Sequence, residues 1–297
     1  MGLMGRLKQT LGNAPPDSGR AMATQAPLSR PIAQRTHYTS KAVNISSSFL
    51  RSTPETAITF KHISFADSEL PEYDGCFAVL IDNVLAPWEC AMLLSLAEES
   101  VPDVPPGQSP WRPALVNMGG GFEAPVTDYR NSDRIIWDSQ DVVDRVWQRC
   151  LQARGDGESI EMLLNKTPGE KQSWGGDWKF ERLNERMRFL KYTHGQFFKP
   201  HCDGAYRFAA DGNDFKTHYT VHLYLNDSAK TSADGTGCVG GATSFLSDDL
   251  KRRLDVDPKA GSVLIFQHRG LLHQGAEVHS GTKYTMRTDI LYRWVKE

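Results

Sequence analysis

Apolar residues come in short blocks along this chain, and the spacing within each block predicts the element it forms. Cys76-Phe-Ala-Val-Leu-Ile81 is a continuous apolar run that suits a buried strand, closed by the turn formers Asp82-Asn83. Pro87, well suited to a first helical position, opens a helix with apolar residues at Cys90, Met92, Leu93, Leu94, Leu96 and Ala97. A second helix fits 139–153, with Ser139 as its cap and Val142, Val143, Val146, Trp147, Cys150 and Leu151 on one face. Between them, residues 102–128 hold six prolines and the run Gly119-Gly120-Gly121, and read as a long irregular loop. From Met187 the rhythm changes to short β-rich segments at 187–193, 217–225, 242–246, 262–267 and 283–294, separated by Gly, Asn, Asp and Ser. Helices early and many short strands late predict an α+β, mainly β architecture: a β-sandwich or barrel buttressed by helices, without internal repeats.

The first 55 residues keep neither a helical nor a strand period and are rich in Ser, Thr, Ala, Pro and Arg, so residues 1–55 are expected to be a disordered basic leader and 56–297 the folded domain. The leader has no apolar signal-peptide core, while its acid-poor, Arg-containing composition is compatible with mitochondrial targeting. Apolar residues make up 39% of the 297 and charged residues 24%, as in a soluble globular protein, and no run approaches the roughly 20 apolar residues that span a bilayer. Net charge refines this. The formal charge of −2 hides seven Lys/Arg against one acid in residues 1–53, leaving a body at −8 that is a poor electrostatic partner for nucleic acid. Five cysteines, an odd set without C-x-x-C, argue against a disulfide framework and a Cys-based zinc site and favour a reducing compartment, cytoplasmic by default.

The chemistry gathers at His201-Cys-Asp203, the chain's H-x-D. On a strand, positions i and i+2 share a face, so His201 and Asp203 can offer an imidazole and a carboxylate to one ion. Alone the signal is weak, since a chance H-x-D is expected in about one such chain in two. His273, in Gly270-Leu-Leu-His-Gln-Gly275 after the apolar run 262–266, is the candidate third ligand. Two His and one carboxylate leave three octahedral positions open, the arrangement of non-heme Fe(II) oxygen chemistry, and the helical H-E-x-x-H of zinc hydrolases is absent. Ten residues after His273, Lys283 opens an alternating segment in which Lys283 and Arg287 share a face. Either cation could meet the distal carboxylate of a diacid, and a structural salt bridge would satisfy the same charge.

The stretch Tyr192-Thr-His-Gly-Gln-Phe-Phe-Lys-Pro-His201-Cys-Asp203 resembles the Y-x-x-G-Q-x-x-x-P-H-x-D signature of prolyl 4-hydroxylase-like 2-oxoglutarate/Fe(II) dioxygenases. Further matches follow in chain order. Thr220-Val-His-Leu-Tyr224-Leu-Asn-Asp is similar to that family's T-x-L-x-Y-L-x-D strand, with His222 at its first Leu, and Gly240-Gly-Ala-Thr243-Ser-Phe245 is similar to its G-G-x-T-x-F. The resemblance covers roughly 76–294. It implies a double-stranded β-helix (jelly-roll) core over 187–294 on a helical support over 76–153. It also implies Fe(II), 2-oxoglutarate and O2, with ascorbate to rescue oxidised iron, and His201, Asp203 and His273 as metal ligands. Lys283 takes the place of the base that binds the 2-oxoglutarate C5 carboxylate, with Arg287 as a second cation that leaves the anchor ambiguous. Tyr224 is implied as a supporting hydrogen-bond donor and Tyr192 as lining the co-substrate pocket. The expected reaction is hydroxylation of a C–H bond, coupled to decarboxylation of 2-oxoglutarate to succinate and CO2. Its substrate would be a protein or peptide, or alternatively a small metabolite. A non-catalytic metal-binding barrel and a zinc-dependent hydrolase or isomerase on a cupin-like barrel are the readings from other classes.

Other signals are weaker. Gly235-Thr-Gly237-Cys-Val-Gly240 matches G-x-G-x-x-G, but a polar loop precedes it and a strand-like run follows, so it reads as a turn. His218 and His222 fall on one face of a predicted strand and read as core or surface histidines, with a cavity-lining place open to them. His268 falls in the loop before His273. The stretch Trp174 to Trp178, with Phe180, suits either a channel cover or packing against the barrel.

Overall fold

A computed structural model describes residues 32–52, 54–155, 160–161 and 175–296 of the chain. Its frame is two antiparallel sheets. The larger runs, in spatial order, Thr59–His62, Ala78–Asp82, Val263–Gln267, Asn213–Tyr224, Lys283–Lys296, Arg186–Tyr192, Asp133–Asp138 and Arg112–Pro113. Two further strands join it, Arg207–Ala210 on Asn213–Tyr224 and Gly176–Leu183 on Lys283–Lys296. The smaller sheet runs Arg253–Val256, Thr243–Leu246, His273–Gly275, Phe197–His201 and Arg130–Asn131. Consecutive segments alternate between the sheets, which is the winding of a jelly roll.

Alternation along the central strands sorts the side chains. On Asn213–Tyr224, Val221 and Leu223 point outward into the main apolar cluster, as do Val263 and Ile265, Met286 and Ile290, and Met187 and Phe189 on neighbouring strands. The two helices, Pro87–Glu99 and Gln140–Cys150, cover that outer face with Cys90, Leu93, Ala97, Val142, Val143, Val146, Trp147 and Cys150. The opposite phase, Thr220, His222 and Tyr224 with Lys283, Thr285, Arg287 and Asp289, faces the smaller sheet and is the polar phase. An apolar cluster of Phe245, Leu264, Phe266, Leu271 and Val256 closes one end of the space between the sheets.

Six short strands also fall within 76–153, and the helical support consists of the two expected helices, the two α-helices among the described residues. They are tied together by a buried ion pair, in which Arg149 donates to Glu89 at 2.7 and 2.8 Å and also to the carbonyls of Val84, Leu50 and Ser52.

Those last contacts correct the expected leader. Phe49 and Leu50 are buried against the helices, and Gln34–Arg35 pairs with Phe122–Ala124. Thr36 and Tyr38 donate to Glu123, which in turn accepts from Arg134. Residues 32–52 are therefore held by the fold, their polar composition being matched by specific partners rather than by water. The remainder of the leader, 1–31, lies outside the described residues. The proline- and glycine-rich stretch also departs from expectation: Val116–Gly119 and Phe122–Ala124 form a hairpin turned at the three glycines, all with positive φ. All five cysteines are free. Among the described residues no helix is long and apolar enough to cross a membrane.

Candidate active site

The two histidines meet because their strands do. Phe197–His201 pairs with His273–Gly275, with a bulge after Phe198, and the register sets His201 directly across from His273. Asp203 lies just past the end of its strand rather than on it, and its carboxylate turns in between the two rings: Oδ1 is 3.6 Å from His201 Nε2 and Oδ2 is 3.6 Å from His273 Nε2. One ligand atom from each of the three lies within 4.8 Å of the others.

Local bonds orient each group. Backbone carbonyls fix both rings, Lys199 O at 2.8 Å from His201 Nδ1 and Leu271 O at 3.0 Å from His273 Nδ1. A carbonyl only accepts, so Nδ1 carries the proton in each ring and the Nε2 lone pairs face inward. Burial pushes His273 down to about 4, which keeps its imidazole neutral near pH 7, the form that ligates a metal. Burial alone would raise the Asp203 carboxyl, but the Arg287 guanidinium and His273 hold it well below the usual carboxylate range. Thr220 Oγ1 donates to Asp203 Oδ2 at 2.5 Å and Arg287 Nη1 to Oδ1 at 2.8 Å. Two imidazoles and a carboxylate, held from behind and open in front, are a donor set that fits Fe(II).

Arg287 is committed elsewhere than at a diacid. Besides Asp203 it faces Asp289 at 3.4 Å, and Asp289 is also met by Arg188 at 3.1 Å and by His268 Nε2 at 3.4 Å. Burial works against the Asp289 charge, yet Arg188 and Arg287 keep its carboxyl strongly depressed. Lys283 is the contrasting case. It is 2% exposed, and among the described residues no hydrogen bond or ion pair engages its Nζ. The rings of Tyr192 and Tyr224 lie with their centroids 5.3 and 5.8 Å from it. Burial lowers its pKa to about 8. Gly241, at φ +73°, makes room for its stem, since a Cβ there would lie 3.2 Å from Lys283 Cδ. The hydroxyl expected to support a co-substrate is occupied, Tyr224 donating to Thr243 Oγ1 at 2.8 Å.

Several site residues went unassigned in the sequence. Asp289 was legible, as the next same-face position after Lys283 and Arg287. Arg130 was not: it is half-buried over the Phe198 ring at 4.7 Å, with Nε unpartnered, and that ring stacks on His201 at 3.8 Å. His218 and His222 part company, because a bulge between Thr217 and Tyr219 lets His218 pack outward on Trp178 and Tyr292 while His222 stays inside. His268 lies in the loop before His273, as expected, and is buried there against Asp289. Trp178 packs on Trp294, and Phe180 stacks on Trp147, which answers the question of channel cover for these two, while Trp174 lies outside the described residues. No helix follows the glycine-rich 235–240, whose Val239–Gly240 pairs with Val278–Ser280.

Residues 187–289 match the family model of the 2OG-Fe(II) oxygenase superfamily, 2OG being 2-oxoglutarate. The matched segment spans all three triad residues and Lys283, and its fold and donor set are those of a 2OG-Fe(II) oxygenase, an oxidoreductase. Among solved structures, the chain is similar to the viral collagen prolyl hydroxylase of Paramecium Bursaria Chlorella virus-1 in its 2OG complex, at 21% identity and TM-score 0.40 over 72% of this chain and 95% of that one. It is also similar to a Pseudomonas putida prolyl-4-hydroxylase, at 14% identity and TM-score 0.43 over 76% and 94%. A Trichoplax adhaerens prolyl hydroxylase in complex with a hypoxia inducible factor peptide fragment is similar at 15% identity and TM-score 0.43 over 72% and 82%. No curated protein sequence matches.

Proposed function

We propose that this oxygenase hydroxylates a C–H bond of a protein or peptide in the manner of prolyl 4-hydroxylases. One atom of O2 would go to the substrate and the other to succinate as 2-oxoglutarate loses CO2. The observation that carries the reading is the pairing of a convergent His-Asp-His triad with a buried lysine that lacks an anion. His201, Asp203 and His273 would hold the iron, and Lys283 would meet the C5 carboxylate of 2-oxoglutarate. Arg287, whose charge two carboxylates already balance, is left to position Asp203. Iron, when bound, supplies O2 activation, with ascorbate as its reductant.

The remaining tasks fall to the chain. Thr220 and Arg287 each hold one Asp203 oxygen, so the carboxylate cannot swing from the ion. The Tyr192 and Tyr224 rings border the Lys283 ammonium and keep water from it, which strengthens its attraction for an anion. An aromatic ridge begins three residues past Asp203, where the exposed Tyr206 ring adjoins Phe208, itself stacked on Phe215. A ridge with one exposed ring, Tyr206, backed by two half-buried ones suits a proline-containing chain, and this favours the peptide over the metabolite.

Anaerobic addition of Fe(II) and 2-oxoglutarate tests the reading through the weak visible charge-transfer band of the chelate, followed by succinate release on admitting O2. Wild type should show both, and His201→Ala and Asp203→Ala neither. Folded, iron-loaded wild type without band or succinate would overturn the reading in favour of a non-catalytic barrel.

A further inference from the structure

Between the triad and Lys283, the inner face carries polar groups whose bonding capacity is unspent. His222 stands opposite Arg287 in the strand ladder. Along its own strand it is flanked on that face by Thr220, which bonds Asp203, and by Tyr224, whose ring borders Lys283. The imidazole meets the Tyr224 ring edge-on at 4.9 Å, and its Nε2 is buried with no hydrogen-bond partner. Thr285, between Lys283 and Arg287 on the next strand and opposite Tyr224, likewise has a buried and unpartnered Oγ1. A native core rarely leaves such atoms unpaired, so their alignment points to a polar ligand lying along this face.

The chemistry of that ligand follows from its surroundings. Burial, with Lys283 and Arg287 close by, holds the His222 pKa well below the usual histidine range, so the ring is neutral and offers one N–H. Beside two cations the ligand group it meets is anionic, and toward an anion the ring acts as donor. The family strand that this segment resembles has Leu at this position, which would fill the same space and donate nothing.

We propose that His222 donates a hydrogen bond to the metal-chelating carboxylate of the 2-oxo acid, so that the co-substrate is read at both ends, by His222 at its head and by Lys283 at its tail. The inference rests on the oxygenase reading above and adds to it a positional specificity: any 2-oxo acid gains from His222, and only a diacid gains from Lys283.

Binding to the Mn(II)-loaded full chain separates the two, because Mn(II) holds the chelate without turnover. Calorimetric titrations would use 2-oxoglutarate and 2-oxopentanoate, which has the same chain without the C5 carboxylate. His222→Leu should weaken both about tenfold, equivalent to 1.4 kcal/mol, with Mn(II) affinity unchanged as a check on fold and triad. His222→Gln, which keeps a donor, should recover most of the loss, and Lys283→Ala should weaken 2-oxoglutarate alone. Wild-type affinity for both acids in His222→Leu and His222→Gln would overturn the proposal. So would loss of Mn(II) affinity in His222→Leu, which would make His222 part of the metal site. A wild type that binds Mn(II) but neither acid would sink the oxygenase reading itself, an outcome distinct from the other two.

Discussion

Replacing Lys283 with Met should make the ligand-free protein more stable while removing its response to 2-oxoglutarate. The side chain is 2% exposed, and the fall of its pKa from the usual 10.5 to about 8 is worth about 3 kcal/mol of disfavoured charge, at 1.36 kcal/mol per pH unit. The Tyr192 and Tyr224 rings, at 5.3 and 5.8 Å, return up to about 2 kcal/mol by cation–π attraction. The penalty wins by about 1–3 kcal/mol, and Met fills the same slot with a stem of similar length. Urea denaturation at pH 7 reads the gain directly. The sign with pH is also set. Between about 8 and 10.5 the unfolded chain binds more protons at this site than the folded one, so wild-type stability rises with pH across that window. The advantage of Lys283→Met should therefore hold below about 8 and fade toward 10.5. With Mn(II) and 2-oxoglutarate at about 100 times Kd the wild type should gain about 2.7 kcal/mol, and the variant far less, so the order of stabilities inverts. A ligand-free variant less stable than wild type would refute the reasoning, because it would mean the ammonium is satisfied in the folded chain.

Three further outcomes follow from single contacts. Arg149→Met should destabilise by roughly 3–5 kcal/mol in urea melts, since it strands the Glu89 carboxylate 3% exposed between the helices, and adding Glu89→Leu should restore much of the loss. Gly241→Ala should cost about 1–2 kcal/mol for its positive φ and should also weaken 2-oxoglutarate binding, because the new methyl group meets Lys283 Cδ at 3.2 Å; unchanged affinity in calorimetry would contradict the contact. Thr220→Val keeps the side-chain shape and removes the 2.5 Å bond to Asp203. It should lower Mn(II) affinity about 10-fold, with a melting curve close to that of wild type.

The strands that build the site were legible because burial on the outer face imposes a period of two. The expected segments 187–193, 262–267 and 283–294 correspond to Arg186–Tyr192, Val263–Gln267 and Lys283–Lys296. The candidate metal ligands were visible as residue types at a spacing, and Lys283 as a cation ten residues beyond. What escaped was set by partners distant in sequence. Thr36 and Tyr38 read as solvated until Glu123, more than 80 residues on, is placed beside them. Arg287 looked equivalent to Lys283 by period alone, and only the return of Asp203 and Asp289 to its two sides distinguishes them. The opposite fates of His218 and His222 turn on one bulged residue, which no periodic pattern encodes.

The charges inside the barrel divide the site into two functional halves. Around the triad, acids and bases close on themselves: Asp203 with Arg287, Arg287 with Asp289, and Asp289 with Arg188 and His268. A closed network of that kind resists rearrangement, because freeing any member leaves another buried charge unpaired, and it therefore holds the Asp203 carboxylate in one orientation before a metal arrives. At the other end the same strand leaves Lys283 open, with two aromatic rings for company and no carboxylate. Alternation along one strand thus puts a self-neutralised cation and an unneutralised one four residues apart on the same face. On the proposed function, the first would make a rigid socket for a metal. The second stores a penalty that an incoming anion would relieve, so the free energy of burying Lys283 at folding would be returned as affinity for a diacid.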